Sequence, residues 1–152
     1  MSTLTCELTI DAPPEIVYSF FTDAELFAQW QGMDAELDPR PGGIFRVRMT
    51  GVSNAIVLGE YLELVPHSRI VYTFGWENAR TVQGAIDVPP GESRVEVTLT
   101  PEAGGTRLRL QHSGLPSEEA LRFHRFGWDH SLPRLAIAAT GGDPGPDMLA
   151  AM

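Results

Sequence analysis

Residues 93–112 read SRVEVTLTPEAGGTRLRLQH, and their pattern decides the fold class. Val95, Val97 and Leu99 take alternate positions, as do Leu108 and Leu110, while Arg94, Glu96, Arg107 and Arg109 occupy positions between them. Successive side chains of a strand point to opposite faces, so this is the signature of two half-buried strands, 93–100 and 106–112. Gly104-Gly105 supplies a tight turn between them, which makes the pair antiparallel. Strict alternation carries His112 inward behind Leu108 and Leu110.

The same period extends upstream. Candidate strands cover 33–37, 44–50, 55–64 and 69–76, separated by Pro39-Arg40-Pro41-Gly42-Gly43, Pro66-His67-Ser68 and Pro89-Pro90-Gly91. Short connections of this chemistry predict an antiparallel meander. In 55–64, AIVLGEYLEL, both alternating sets are apolar, and a bulge near Gly59 would resolve the conflict. Residues 3–10 form another half-buried strand, with Leu4, Cys6, Leu8 and Ile10 on one face. Asp11-Ala12-Pro13-Pro14 ends it and opens a short helix with Ile16, Val17, Phe20 and Phe21 on its apolar side. A second short helix is expected over 24–30.

Downstream, Gly114-Leu115-Pro116 leads into one long helix over 117–139, spanning about 34 Å at 1.5 Å per residue. Ser117 is the expected N-cap, followed by Glu118 and Glu119 in the first turn. Leu121, Trp128, Leu132, Leu135 and Ala139 form its apolar stripe, and Pro133 predicts a kink. Residues 1–140 read as a single domain and 141–152, GGDPGPDMLAAM, as a flexible C-terminal tail. The fold class is therefore α+β: a curved antiparallel β-sheet wrapped around a long C-terminal helix, with two short N-terminal helices closing an end. Such a sheet need not fill its interior.

Composition narrows the function. With 152 residues the chain buries enough surface to fold without a disulfide or metal staple. A net charge of −9 argues against nucleic acid and anionic membrane surfaces as partners. No apolar run approaches the roughly 18 residues of a membrane span. MSTLTCELTI lacks the basic-then-apolar pattern of a signal peptide. Its single cysteine, Cys6, excludes an intrachain disulfide, and a cytoplasmic location is expected.

Chemistry-bearing motifs are sparse. His67, His112, His124 and His130 have no metal-ligand spacing, and no metal or cofactor is expected. Neither a Gly-x-Ser-x-Gly elbow nor a phosphate-binding glycine loop occurs. Inward parity makes His112 a candidate to orient a ligand, or a strand-end histidine bonded to a backbone carbonyl. Phe45, Tyr72, Phe74 and Trp76 share one face, with Trp128 on the helix stripe. That set suits either a ligand pocket or a packed core. Phe123 and Phe126 fall off the stripe, and exposed together they would favour a homodimer contact.

Several motifs resemble one family in order along the chain. Pro13-Pro14-Glu15-Ile16-Val17-Tyr18-Ser19-Phe20-Phe21-Thr22-Asp23 with Trp30 resembles its opening strand-to-helix signature, and Asp38-Pro39-Arg40-Pro41-Gly42-Gly43-Ile44-Phe45-Arg46 its D-x-R-x-G-G-x-aromatic-R turn. Gly59 to Pro66 and Ile70 to Phe74 resemble its middle strands. Gly104 to Leu108 with His112-Ser113-Gly114, and Gly127-Trp128 with Leu132 and Leu135, resemble its last hairpin and helix. The family is the activator of heat-shock-protein-90 ATPase homologue-like group of the START-like (SRPBCC) superfamily. The resemblance implies a helix-grip fold with a pocket between sheet and long helix. Trp30, Phe45, Tyr61, Tyr72, Phe74, Trp76, Val97, Leu110, His112, Trp128 and Leu132 are the expected ligand-binding residues. Binding, transport or sequestration of a small hydrophobic, lipid- or polyketide-like molecule is the first expected function. The alternatives are a cofactor-free cyclase or hydratase, using His112 with an inward Glu60 or Tyr61, and a co-chaperone-like interaction module.

Overall fold

The computed structural model describes residues 2–49, 54–77 and 88–147. In chain order these form β1 (Ser2–Ile10), α1 (Pro14–Thr22), α2 (Ala24–Phe27), β2 (Asp34–Leu37), β3 (Ile44–Arg48), β4 (Ile56–Val65), β5 (Arg69–Phe74), β6 (Ser93–Glu102), β7 (Gly105–Leu115) and α3 (Glu118–Ala139). The strands make one antiparallel sheet of order β1-β7-β6-β5-β4-β3-β2. Six strands follow one another as the turn chemistry predicts, and β1 adds beside β7.

Register converts the alternation into two faces. Val97 lies opposite Leu110 on β7 and Ile70 on β5, and all three are fully buried. Val95 lies opposite His112, and Leu99 opposite Leu108. The other face carries ion pairs such as Arg69 to Glu63 and Glu96, at 3.0 and 2.9 Å, and Arg107 to Glu7, at 3.0 Å. Exposed pairs of this kind add little stability.

The bulge in β4 is displaced from its expected place. Register shifts between Tyr61 and Glu63, not at Gly59, so Leu62 is the extra residue and turns outward while Tyr61 stays buried. Gly59 answers a different need. A Cβ built there would sit 1.9 Å from the Thr73 carbonyl oxygen, so only glycine lets β4 and β5 approach this closely. Beside it the Glu60 N–H is satisfied by the Thr73 hydroxyl, at 2.9 Å.

Helix α1 begins on Pro14 and buries Val17, Phe20 and Phe21, whereas Ile16 faces solvent. Helix α2 stops at Phe27, shorter than expected, after Asp23 caps it by accepting from Leu26 N–H at 3.1 Å. Ser117 caps α3 through Ala120 N–H at 3.1 Å, and the helix continues through Pro133. Trp128, Leu132, Leu135 and Ala139 are buried as the stripe requires, Leu121 only partly, and His124, Ser131 and Arg134 join them. The backbone of α3 runs close along β1, whereas α1 lies over β6 and β7. Val97 stands on β6, a strand approached by α1. No helix of the described residues is long and apolar enough to cross a membrane.

The expected loose tail is anchored as far as Asp147. Arg134 donates to the carbonyls of Pro144, Gly145 and Pro146, and Asp147 accepts from Gly32 N–H. Glycine and proline prevent a helix there, but not docking by main-chain carbonyls. Residues 148–152 lie outside the described residues.

Candidate functional site

Sheet and helices enclose two groups of rings rather than the single aromatic wall expected from parity. The first joins α1 and α2 to β3, β4 and β5. Phe45 stacks on Tyr72, with centroids 4.0 Å apart, and meets Tyr61 and Phe27 edge-on at 5.8 and 5.5 Å. Trp30 closes this group against Phe27 at 5.0 Å. Two of its polar ends serve the fold. Trp30 Nε1–H donates to the Phe20 carbonyl at 3.0 Å, and the Tyr61 hydroxyl to the Phe21 carbonyl at 2.8 Å. Both bonds pin the end of α1 to the rings beneath it, and burial raises the Tyr61 pKa.

Tyr72 differs. Its side chain is fully buried, and its hydroxyl has no hydrogen-bond partner among the described residues. Burial holds its pKa well above the ordinary phenol value, so it is a neutral donor. An unpaired buried hydroxyl costs about 1–3 kcal/mol. It is therefore the polar atom in this interior that gains most from a partner.

The second group lies between β5, β7 and α3, and its hydrogen bonds fix both imidazole tautomers. Ser93 Oγ donates to the Phe74 carbonyl and lies 2.8 Å from His112 Nε2. With its hydrogen engaged by Phe74, Ser93 must accept, which places the His112 hydrogen on Nε2. His112 Nδ1 then accepts from Trp128 Nε1–H at 3.1 Å. His124 has the opposite tautomer. Its Nδ1–H donates to the Ala120 carbonyl at 2.6 Å, and its Nε2 accepts from Trp76 Nε1–H at 3.0 Å. The two imidazoles stand 5.2 Å apart, with Phe74 edge-on to both at 4.7 and 5.6 Å. Burial pushes His112 well below the ordinary imidazole value, and His124 beside it adds to the effect. Burial also lowers His124, against the opposing bond to Ala120. Both rings are neutral and saturated with partners.

Every expected site residue is buried, including Val97, Leu110 and Leu132 on the aliphatic floor. They do not converge as an acid–base set. Glu60 is exposed, the Tyr61 hydroxyl is held by Phe21, and both nitrogens of His112 are occupied. His112 is bonded to Ser93 and Trp128, not to a strand-end carbonyl. Of the two off-stripe aromatics, Phe123 packs against Trp76 at 6.1 Å, and Phe126 is 65% exposed. His124 was not singled out from the sequence, although His124, Trp128 and Leu132 at four-residue steps place it on the buried stripe.

Known proteins share this architecture. A solved AHSA1-like protein of Rhizobium etli is 41% identical, with a TM-score of 0.73, over 99% of this chain and 89% of its own. DynU16, a protein of the dynemicin biosynthetic locus, is 25% identical with a TM-score of 0.76, over 97% of this chain and 51% of its own. The human activator of 90 kDa heat shock protein ATPase homolog 1 is 29% identical over 129 residues. That match takes in 82% of this chain, which spans about a third of the human protein's length (34%). The family model described as Activator of Hsp90 ATPase homolog 1-like protein matches residues 11–140, and the chain belongs to that family, in keeping with a START-like helix-grip fold.

Proposed function

We propose that the protein binds a small, flat, apolar molecule in the interior bounded by α1, α2, β3, β4 and β5, and carries or sequesters it without transforming it. The observation that carries this reading is the Tyr72 hydroxyl, buried and unpaired on a ring stacked against Phe45. Aromatic walls with few oriented polar groups are the chemistry of small-molecule sites. Affinity would come from apolar burial, at about 25 cal/mol per Å² removed from water. Catalysis is disfavoured because His112 and His124, each neutral, have both ring nitrogens bonded within the fold. The solved relative DynU16, a protein of the dynemicin biosynthetic locus, is compatible with this reading. So is a reducing, cytoplasmic setting in which Cys6 stays a thiol.

The test uses a matched ligand pair, 2-acetylnaphthalene and 2-ethylnaphthalene, titrated against intrinsic tryptophan fluorescence. The wild type should bind the ketone about tenfold more tightly, the worth of one net hydrogen bond. Tyr72→Phe should equalise the pair. No saturable binding of either compound would defeat the reading.

A second reading is a protein-interaction module acting on a 90 kDa heat shock protein. Phe126, exposed on α3, favours it, as does the human relative. Stimulation of the chaperone's ATPase that is lost in Phe126→Ser would move this reading ahead.

A further inference from the structure

The C-terminal segment is held in a way that differs from the rest of the fold. Helix α3 ends where Gly141, at φ +87°, turns the chain back, with Gly141 and Gly142 N–H donating to the Ala138 and Ile137 carbonyls. Beyond this hinge the backbone runs extended through Asp143, Pro144, Gly145 and Pro146 to Asp147, and buries no apolar side chain. Its attachment is polar. Arg134 Nη1 donates to the carbonyls of Pro144 and Pro146 at 3.1 and 3.3 Å, and Nη2 to that of Gly145 at 3.1 Å. The Asp147 carboxylate accepts from His130 Nε2–H at 2.8 Å and from Gly32 N–H at 3.2 Å.

The receiving side is built without the segment. Arg134 Nε donates to the Trp30 carbonyl at 3.1 Å, and Nη2 to that of Gln29 at 3.4 Å, so two bonds to the end of the α2 region aim the fork outward. Gly32 is fixed by its neighbour, since Met33 N–H donates to the Arg48 carbonyl at 2.7 Å. His130 stands one helical turn before Arg134 on α3. The docked segment also leaves a groove of about 360 Å³ between itself and Ala28, Gln29, Gly32 and Arg134. Glycines and prolines do not fill it.

We propose that this cleft is a binding site for an extended acidic peptide of a partner protein, and that residues 143–147 occupy it in cis. Arg134 reads successive main-chain carbonyls, which suits any extended, proline- or glycine-containing chain. His130 and the Gly32 amide read one carboxylate, which sets the register. The unfilled groove accommodates larger side chains than this chain's own segment supplies. A tethered occupant holds the site at a millimolar effective concentration, so a partner with better-filling side chains displaces it, and a bare copy of the segment does not.

The experiment uses the full chain and a fluorescein-labelled peptide carrying residues 141–147, followed by fluorescence polarisation. Asp147→Ala weakens the occupant in cis and leaves the receiving side intact. That variant should bind the peptide at least about tenfold more tightly than the wild type, because competition from the tether is removed. A peptide in which the residue matching Asp147 is asparagine should bind neither protein. Equal binding to wild type and variant, equal binding of the asparagine peptide, or no saturable binding to Asp147→Ala up to about 1 mM peptide overturns the proposal.

Discussion

Acidification should weaken the fold through His112 and His124. Both imidazoles are buried, neutral and saturated, and both have folded pKa values below the ordinary 6.5. Protonating His112 would put a hydrogen on Nδ1, facing Trp128 Nε1–H, and protonating His124 would put one on Nε2, facing Trp76 Nε1–H. In the unfolded chain both rings accept a proton freely near pH 6.5. Between the folded and unfolded values the unfolded state binds more protons, so stability falls as pH falls. The contribution is fully present above about pH 6.5 and is lost toward the folded pKa values. A group that stays neutral in the fold down to pH 5 loses about 2 kcal/mol between pH 7.5 and 5, which sets a ceiling of about 4 kcal/mol for the pair. His112, displaced further, should come nearest its share. Urea unfolding followed by tryptophan fluorescence at pH 7.5, 6.5, 5.5 and 5.0 measures the loss directly. His124→Leu should lower stability at pH 7.5 but flatten the dependence on pH, since one titrating group has gone. Unchanged stability from pH 7.5 to 5.0, or an equally steep decline in His124→Leu, would refute the assignment of both rings as buried and neutral.

The two inward tyrosines should respond oppositely. Tyr61→Phe removes the bond to the Phe21 carbonyl and should cost about 1–3 kcal/mol, whereas Tyr72→Phe removes an unpaired hydroxyl and should be neutral or stabilising by denaturant titration. Gly59→Ala drives a methyl group into the Thr73 carbonyl and should lower stability by about 2 kcal/mol or more; a melting temperature unchanged from the wild type would show that β4 can move away. Val97→Trp adds an indole where Val97 is fully buried under the approach of α1, so a loss of about 1–3 kcal/mol is expected, and near-wild-type melting would reveal open space there.

The fold was legible because most strands have a solvated face. In β6 and β7 arginine and glutamate mark one side, so parity and register follow from alternation alone. The bulge in β4 was not, because Ala55 to Leu64 places apolar residues on both alternating sets. Local sequence could place the conflict in that strand but not at Leu62. Its position depends on how closely Gly59 packs against Thr73, a tertiary contact. The attachment of residues 143–147 is hidden in the sequence for a related reason. Gly-Pro composition reports the absence of helix and of apolar burial, and residues 143–147 indeed lack both. What holds them is Arg134, a residue whose place on the buried side of α3 gives no hint that its fork will meet main-chain carbonyls.

For the interior, parity gave the membership but not the roles. It brought Phe45, Tyr72, Phe74, Trp76 and His112 inward, and each is buried. Burial by itself does not distinguish a side chain that packs from one that waits for a partner. Polar atoms do, because each either finds a partner within the fold or carries the cost of lacking one. The indole N–H groups of Trp30, Trp76 and Trp128, both imidazoles and the Tyr61 hydroxyl are bonded to atoms of the fold itself. Pairs such as Trp76–His124 and Trp128–His112 are 48 and 16 residues apart, so no local motif announces them. Once they are subtracted, His112 is accounted for by Ser93 and Trp128, and the residual unpaired donor is Tyr72, which sequence parity had ranked level with its neighbours. The histidine is satisfied by the fold, whereas the phenol, unpaired among the described residues, is the group to which the proposed ligand's acceptor would bond.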